Sequence, residues 1–284
     1  MSVVSTGTVY IRPQHLRFDG TPPLWWLLTS RRWIGPLPIN AFLIEHADGL
    51  VLFDTGQDQT SVTDPDYFPK GFTGLLNRRL ARFDVAPDQT LTARLAGIGY
   101  DIADVHTVVL SHLHIDHVGG LPELRHATIV VSGEERRTLE RPFAEVNGLM
   151  RNHIMLPGLR WQLITPQPTD DPSLTPFTDV HDLFGDGSLV LLPTPGHTPG
   201  SLSLLVRRPD CPPLLMVGDL TFDVHLMESG QVPGLGQRSR SRESTRKVNI
   251  IRQSHPDLVI LPTHDPEASA RLAVAEQTKP ASGR

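Results

Sequence analysis

The chain has 284 residues, 39% of them hydrophobic and 20% charged, a composition typical of a globular protein that buries a sizeable core. Its net charge of −5 does not favour nucleic acid or an anionic membrane surface as a partner. The single cysteine, Cys211, cannot form an internal disulfide. The N-terminus lacks a basic segment followed by an apolar one, and the apolar run 24–28 is too short to span a bilayer. We therefore expect a cytoplasmic protein.

Short apolar runs that end in Gly, Asp or His predict strands along the whole chain. These runs are 41–44, 50–53, 107–110, 128–131, 189–192, 202–206, 214–217 and 258–261. Most are continuously apolar, as expected for strands that are covered on both faces. Asp48-Gly49 separates the first two runs, which indicates a hairpin.

Apolar residues at helical spacing predict helices between and after these strands. The candidates are a stripe of Leu75, Leu76, Leu80 and Phe83, a helix over 91–98 capped by Asp88, a helix over 243–254, and a helix that begins at Asp265. The strands fall into two groups, each followed by helices, which favours an α/β fold of two face-to-face sheets with helices outside. Residues 166–187 are expected to connect two halves, roughly 1–165 and 188–284, of one domain that spans 1–284.

A dense group of polar residues follows the strand predicted at 107–110. The segment 111–120 carries three His and one Asp within six positions, at His112, His114, Asp116 and His117. In an extended segment, His112 and His114 can point to the same side. Imidazole and carboxylate are ligands that suit a divalent metal such as zinc. The segment therefore predicts a metal site.

One loop cannot supply all the ligands of a two-metal site, so further ligands are expected at other strand ends. His197, Asp219 and His264 each follow a predicted apolar strand. Alone, each would more often be an ordinary polar residue at the end of a strand. Together with the first group, they are predicted to be ligands.

In this order, these residues resemble the ligand motifs of the metallo-β-lactamase superfamily, and the segment from Asn40 to Asp265 fits it. The resemblance implies a four-layer αββα sandwich and two divalent metal ions, expected to be zinc. It assigns His112, His114 and His197 to the first metal, Asp116, His117 and His264 to the second, and Asp219 to the bridge between them. The Asp54-Thr55-Gly56 turn also matches, with Asp54 expected either to orient a ligand histidine or to be a plain turn residue.

Within the superfamily, the chain resembles the N-acyl homoserine lactonases, which are quorum-quenching enzymes. The similar segments are 40–46, 83–85, 110–120 and 197–201. Asp219 stands where true metallo-β-lactamases carry a cysteine, which disfavours a β-lactam substrate. The resemblance implies a hydrolase that opens the ester bond of a lactone. A hydroxide bridging the two metals would attack, and Asp116 would orient it and carry a proton to the leaving oxygen. Related lactonases are often dimers, so a homodimer is expected.

The substrate pocket is less clearly marked in the sequence. Trp25 and Trp26 belong to an apolar segment that has two interpretations, a core or subunit interface, or a wall for the acyl chain of the substrate. Phe222 stands three residues after Asp219, where the lactonases carry a tyrosine whose hydroxyl helps to hold the lactone carbonyl. We expect Phe222 to contact the substrate without donating a hydrogen bond.

Other functions of the same fold stay open. The basic run 238–247 is interpreted as a solvated face, or as an anchor for an acidic substrate group in a glyoxalase-II-like thioester hydrolase. Hydrolysis of other esters or of phosphotriesters is a further alternative. A flavo-diiron protein is disfavoured, because that family usually carries Glu in place of His114. A non-catalytic protein of this fold is disfavoured as well, because such proteins often lose ligands that this chain keeps.

Overall fold

The computed structural model describes residues 1–209 and 211–277, and the strands within them form two sheets. The first sheet has the strand order β4-β1-β2-β3-β5-β6-β7 and the second has the order β13-β12-β11-β10-β9-β8. The strands of the first are β1 Ser2–Ile11, β2 Ile34–His46, β3 Gly49–Phe53, β4 Ala81–Asp84, β5 Val105–Val109, β6 Thr128–Ser132 and β7 Arg160–Ile164. Those of the second are β8 Gln167–Pro168, β9 Asp179–Asp182, β10 Leu189–Pro193, β11 Leu202–Val206, β12 Leu214–Gly218 and β13 Val259–Pro262.

The helices lie outside the sheets, in the loops at their edges or, for the last helix, against the apolar cluster between the sheets. They are α1 Pro13–Leu16, α2 Pro23–Thr29, α3 Thr60–Thr63, α4 Gly71–Leu80, α5 Leu91–Gly97, α6 Ile115–Val118, α7 Gly133–Thr138, α8 Arg151–Ile154, α9 Val224–Glu228, α10 Arg238–Ser254 and α11 Ala268–Gln277. Within residues 1–209 and 211–277, no helix is both long enough and apolar enough to cross a bilayer.

Three buried clusters divide the molecule into layers. Alternate residues of each strand face opposite sides of a sheet, so Phe42 and Phe53 pack between the sheets against residues of the second sheet such as Leu204. Their neighbours face outward: Leu43 packs in a cluster that includes α5. On the other side, β10, β12 and β13 pack against α9 and α10. This helix–sheet–sheet–helix order is the predicted αββα sandwich.

The predicted strands are confirmed, since each apolar run lies within or overlaps a strand. The hairpin is confirmed too, because β2 and β3 are antiparallel and are joined at Asp48-Gly49. β1 was missed because its sequence, SVVSTGTVYI, interleaves apolar residues with Ser, Thr and Gly and contains no apolar run longer than three residues. Residues 166–187 are more than a connection, because β8 and β9 extend the edge of the second sheet.

Several helix boundaries differ from the predictions. The cap of α5 is Thr90, whose hydroxyl accepts a hydrogen bond from the Ala93 amide at 3.3 Å, whereas Asp88 lies in the preceding 3₁₀ turn. Phe83 lies on β4, because α4 ends at Leu80. α10 begins at Arg238, earlier than predicted, and α11 begins at Ala268, after the turn that starts at Asp265.

Candidate metal centre

The predicted ligands come together at one edge of the sandwich, where strands of both sheets end. His112, His114, Asp116 and His117 follow β5, and α6 begins just after His114. His197, Asp219 and His264 follow β10, β12 and β13. Backbone groups at the ends of neighbouring strands are held in register by the sheet, so side chains on the following loops are brought close together.

Three imidazoles form the first group. His114 Nδ1 lies 3.0 Å from His112 Nε2 and 2.9 Å from His197 Nε2. Nitrogen ligands of a tetrahedral zinc ion, each about 2.0–2.1 Å from the metal, lie about 3.3 Å from one another. The separations are thus close to those of ligands that share one ion.

Asp116, His117 and His264 form the second group, and Asp219 lies between the two groups. Asp219 Oδ1 is 3.3 Å from His117 Nε2 and 3.4 Å from His264 Nε2. Its other oxygen, Oδ2, is 3.4 Å from His197 Nε2. One carboxylate therefore faces both groups, as a bridging ligand must.

The hydrogen bonds around the first group fit a cation at its centre. His114 Nε2 donates to the Asn147 carbonyl at 3.0 Å, so Nδ1 carries a lone pair. Ser111 donates its hydroxyl proton to Asp54 and accepts from His112 Nδ1 at 2.9 Å, which leaves a lone pair on His112 Nε2. Two lone pairs that face each other at 3.0 Å repel unless a cation lies between them.

Unpartnered atoms of the second group give the same indication. His117 Nε2 and Asp219 Oδ1 are buried and have no hydrogen-bond partner among the described residues. Buried polar groups are usually paired, so these two atoms require another partner. The donor set of imidazole and carboxylate suits divalent metals such as zinc. The site thus fits two divalent ions, and Asp219 would contact both of them.

Asp54 holds the loop that follows β5. It has a left-handed φ of 59°, which Asp tolerates better than most residues. Its Oδ2 accepts from His117 Nδ1 at 2.8 Å, and its Oδ1 accepts from the Ser111 amide at 2.7 Å. The carboxylate thus lies where it can orient His117, and that role for Asp54 stays a prediction. In the same way, His264 Nδ1 donates to the Pro38 carbonyl at 2.8 Å.

Glu135 joins two of the loops that carry the ligands. It is fully buried, and its Oε1 accepts from the Leu113 amide at 3.1 Å. Its Oε2 accepts from the Thr198 hydroxyl at 2.7 Å and from the Gly200 amide at 3.0 Å. Burial raises the pKa of Glu135, and these three donors oppose that rise. The carboxylate therefore links the 112–117 loop to the loop of His197.

The surroundings of the histidines in the centre shift their pKa values in opposite directions. Burial, together with the neighbouring histidines, lowers the pKa of His112 well below its usual value. Burial likewise lowers the pKa of His197 to about 3, although Asp219 opposes the shift. Burial also disfavours the charged form of His117, but Asp219 and Asp54 raise its pKa well above the usual value. In Asp219, burial is outweighed by His264 and His117, which lower its pKa well below the usual range.

Two cavities meet the centre. The smaller, of about 60 Å³, is lined by His114, Asp116, Asp219 and His264 and also by Phe222. The Phe222 ring stacks on the His264 ring, with a centroid distance of 5.1 Å and an interplanar angle of 11°. The larger, of about 410 Å³, is also bordered by His114 and His197 and extends along leucines of α2 and α4.

The wall that α2 contributes to the larger cavity is aliphatic rather than aromatic. Pro23, Leu24 and Leu27 line it. Trp25 projects outward and is 65% exposed, whereas Trp26 is buried with its ring against His15. Helical spacing explains the difference, because residues 24 and 27 share a face that residue 25 does not.

The basic run of α10 lies on its outer face, as a solvated helix would place it. Arg240 pairs with Glu134 at 3.2 Å, and Arg246 pairs with Glu243 at 2.7 Å. Arg238 lies 3.7 Å above the Phe18 ring. In the part of the chain that the structure describes, the basic side chains of this run do not line either cavity at the centre.

Two residues near the centre, Glu135 and His15, were not predicted from the sequence. His15 lines the smaller cavity and is 5% exposed. No other His, Cys, Asp or Glu lies within three residues of it, and Glu135 lies in an ordinary helical segment, so neither residue belongs to a recognisable pattern. A buried acid is rare, but burial is not visible in the sequence.

The sequence matches the metallo-beta-lactamase superfamily over residues 34–264. It is 33% identical to the N-acyl homoserine lactonase AttM of Rhizobium radiobacter. The alignment of 244 residues covers 85% of this chain and 87% of that protein. It is 27% identical over 237 residues to an N-acyl homoserine lactonase from Bacillus sp, covering 81% of this chain and 82% of that protein.

Solved structures share the fold. AiiA from B. thuringiensis, in a mutant form with N-decanoyl-L-homoserine bound at the active site, superposes with a TM-score of 0.74 at 21% identity, covering 94% of this chain and 93% of that one. AidC, a dizinc quorum-quenching lactonase, superposes with a TM-score of 0.60 at 18% identity over 94% of this chain and 87% of that one. The match over residues 34–264 and the 33% identity to AttM show that the chain belongs to the metallo-beta-lactamase superfamily.

Proposed function

We propose that this protein is a metal-dependent hydrolase that opens the ester bond of N-acyl homoserine lactones. The observation that carries the proposal is the pairing of the two ligand groups around Asp219 with an adjoining apolar cavity. The similarity to AttM, whose name states that activity, supports the same substrate class.

The larger cavity suits an acyl chain. Its lining includes Leu24, Leu27, Leu76, Leu80 and Leu149, and it begins at His114 and His197. Removing the methylene groups of such a chain from water would favour binding by about 0.8 kcal/mol for each group buried. The ester of the same molecule would then lie beside the ligand groups. This arrangement supports a substrate that joins a polar, reactive head to an apolar tail.

Zinc is the metal we propose, on the ligand chemistry and on the likeness to a dizinc lactonase. Bound divalent metal supplies Lewis acidity, which lowers the pKa of water toward ~7 and polarises an ester carbonyl. Asp116 would hold the attacking water and pass a proton to the leaving alkoxide. Its side chain is 15% exposed, and its Oδ2 lies 3.5 Å from His264 Nε2, so it borders both the ligands and the cavity. The cytoplasmic location and the homodimer stay predictions.

A thioester hydrolase is the second candidate. That interpretation requires an acidic group of the substrate to bind the basic run of α10. The ion pair of Arg240 with Glu134 and the position of the run away from both cavities do not favour it.

A hydrolysis panel tests the proposal. Purified enzyme is offered acyl homoserine lactones, simple lactones, thioesters, phosphotriesters and β-lactams, with acid release followed by a pH indicator. We expect acyl homoserine lactones to have the highest kcat/KM. Asp116→Asn should reduce that rate at least about a hundredfold, while Asp88→Asn, on an exposed surface turn, should leave it unchanged. Thioesters cleaved much faster than every lactone would replace this assignment with the second candidate.

A further inference from the structure

The smaller cavity contains few hydrogen-bond donors besides the ligand residues. Its other polar lining side chains, among the residues that the structure describes, are His15 and Asn77. Asn77 Nδ2 donates to the Thr73 carbonyl at 2.9 Å and to the Glu145 carbonyl at 3.1 Å, so both of its protons are engaged. Phe222 has no donor. His15 is therefore the side chain whose proton can reach a bound molecule.

The backbone determines which nitrogen of His15 carries that proton. His15 Nδ1 accepts a hydrogen bond from the Arg12 amide at 3.1 Å, at the start of α1. The Arg12 carbonyl lies 3.3 Å from the same nitrogen, but it already accepts from the His15 amide at 2.9 Å. A proton on Nδ1 would leave the Arg12 amide without a partner, which is costly in a buried position. The proton therefore lies on Nε2.

The ring of His15 is also held rigidly. Trp26 packs edge-on against it at a centroid distance of 5.2 Å. Arg12, which anchors Nδ1, donates to the Arg79 carbonyl at 3.0 Å and to the Arg32 carbonyl at 3.1 Å. Burial lowers the pKa of His15 to about 4, so the ring is neutral near pH 7. No described residue pairs with Nε2, which makes it a fixed, neutral and free donor.

We propose that His15 donates a hydrogen bond from Nε2 to the carbonyl oxygen of the ester under attack. This inference rests on the proposed lactonase function. The oxygen gains negative charge as the ester is attacked, so a donor already in place stabilises the transition state more than the bound substrate. No proton is transferred, and the imidazole stays neutral throughout. His15 thus contributes the donor that Phe222 lacks.

Two substitutions separate the donor from the structural contact with Arg12. In His15→Asn, the amide oxygen can take the place of Nδ1 and accept from Arg12, while nothing replaces Nε2. In His15→Gln, the longer amide places an N–H donor near the position of Nε2, and glutamine at this position of a helix can also accept from the capping amide. Metal content and thermal stability are measured for both variants, to confirm that each is folded and loaded.

We expect His15→Asn to lower kcat for an acyl homoserine lactone about tenfold with little change in KM. His15→Gln should stay within about threefold of the wild type, and both variants should keep the wild-type metal content. The proposal is overturned if His15→Asn hydrolyses lactones as fast as the wild type, or if both variants lose the same activity. Absence of lactone hydrolysis in the wild type is a separate outcome, which overturns the proposed function itself.

Discussion

Replacing Glu135 tests whether the centre depends on the carboxylate that links its loops. In Glu135→Gln, the amide oxygen can accept from Thr198 and Gly200, but the amide nitrogen then faces the Leu113 amide, which is also a donor. The reverse orientation places the nitrogen against two donors. Either way, at least one buried N–H loses its partner, which costs about 1–3 kcal/mol.

That cost should be visible in both stability and metal binding. For a chain of this size, about 1–3 kcal/mol lowers Tm by about 2–10 °C. Leu113 lies between His112 and His114, and Thr198 follows His197, so loosening these loops disturbs the first ligand group. Loss of a contact that supports the ligands from outside typically weakens metal binding about 10- to 100-fold. Thermal denaturation with and without metal, and competition with a chromogenic chelator, measure the two effects.

Glu134→Gln is the matched control. Glu134 is the neighbouring residue, its side chain is 41% exposed, and it pairs with Arg240 on the surface. Exposed ion pairs contribute about 0–1 kcal/mol, so this variant should resemble the wild type in both assays. If Glu135→Gln also matched the wild type in Tm and metal affinity, the carboxylate would not be holding the two loops, and the reasoning would fail.

Three further outcomes are expected. Metal analysis should find about two divalent ions per chain and about one in His264→Ala, because His264 belongs only to the second ligand group. A wild-type value that stays near one under metal-replete conditions would refute this. Phe222→Tyr should raise kcat/KM for acyl homoserine lactones several-fold at constant metal content, because a neutral hydrogen bond from the added hydroxyl contributes about 1 kcal/mol. If kcat/KM does not rise, the substrate carbonyl does not face this ring. Leu27→Trp should fill part of the larger cavity, and it should therefore slow the hydrolysis of long-chain lactones about tenfold while sparing short-chain ones. Leu28→Trp, at an exposed position of the same helix, should change neither rate. Equal slowing for both chain lengths would place the acyl chain elsewhere.

The layers of the fold and the residue types of the centre can be predicted from the sequence. Runs such as 189–192 and 214–217 are apolar throughout, and only a sheet covered on both faces buries such strands. His197, Asp219 and His264 were predictable because each follows such a run within five residues, and strand ends at one sheet edge lie together. These signals are local, since each is contained within a few consecutive residues.

The grouping of these residues, and the contacts that support them, depend on how distant segments of the chain pack together. Glu135 meets Leu113 and Gly200 across 22 and 65 positions of sequence. His15 reaches the cavity because Trp26 and the Arg12 amide hold its ring there. No pattern marks either residue, because a hydrogen bond between distant segments depends on burial and orientation. Those properties exist only after the two sheets have packed and excluded water from the space between their loops.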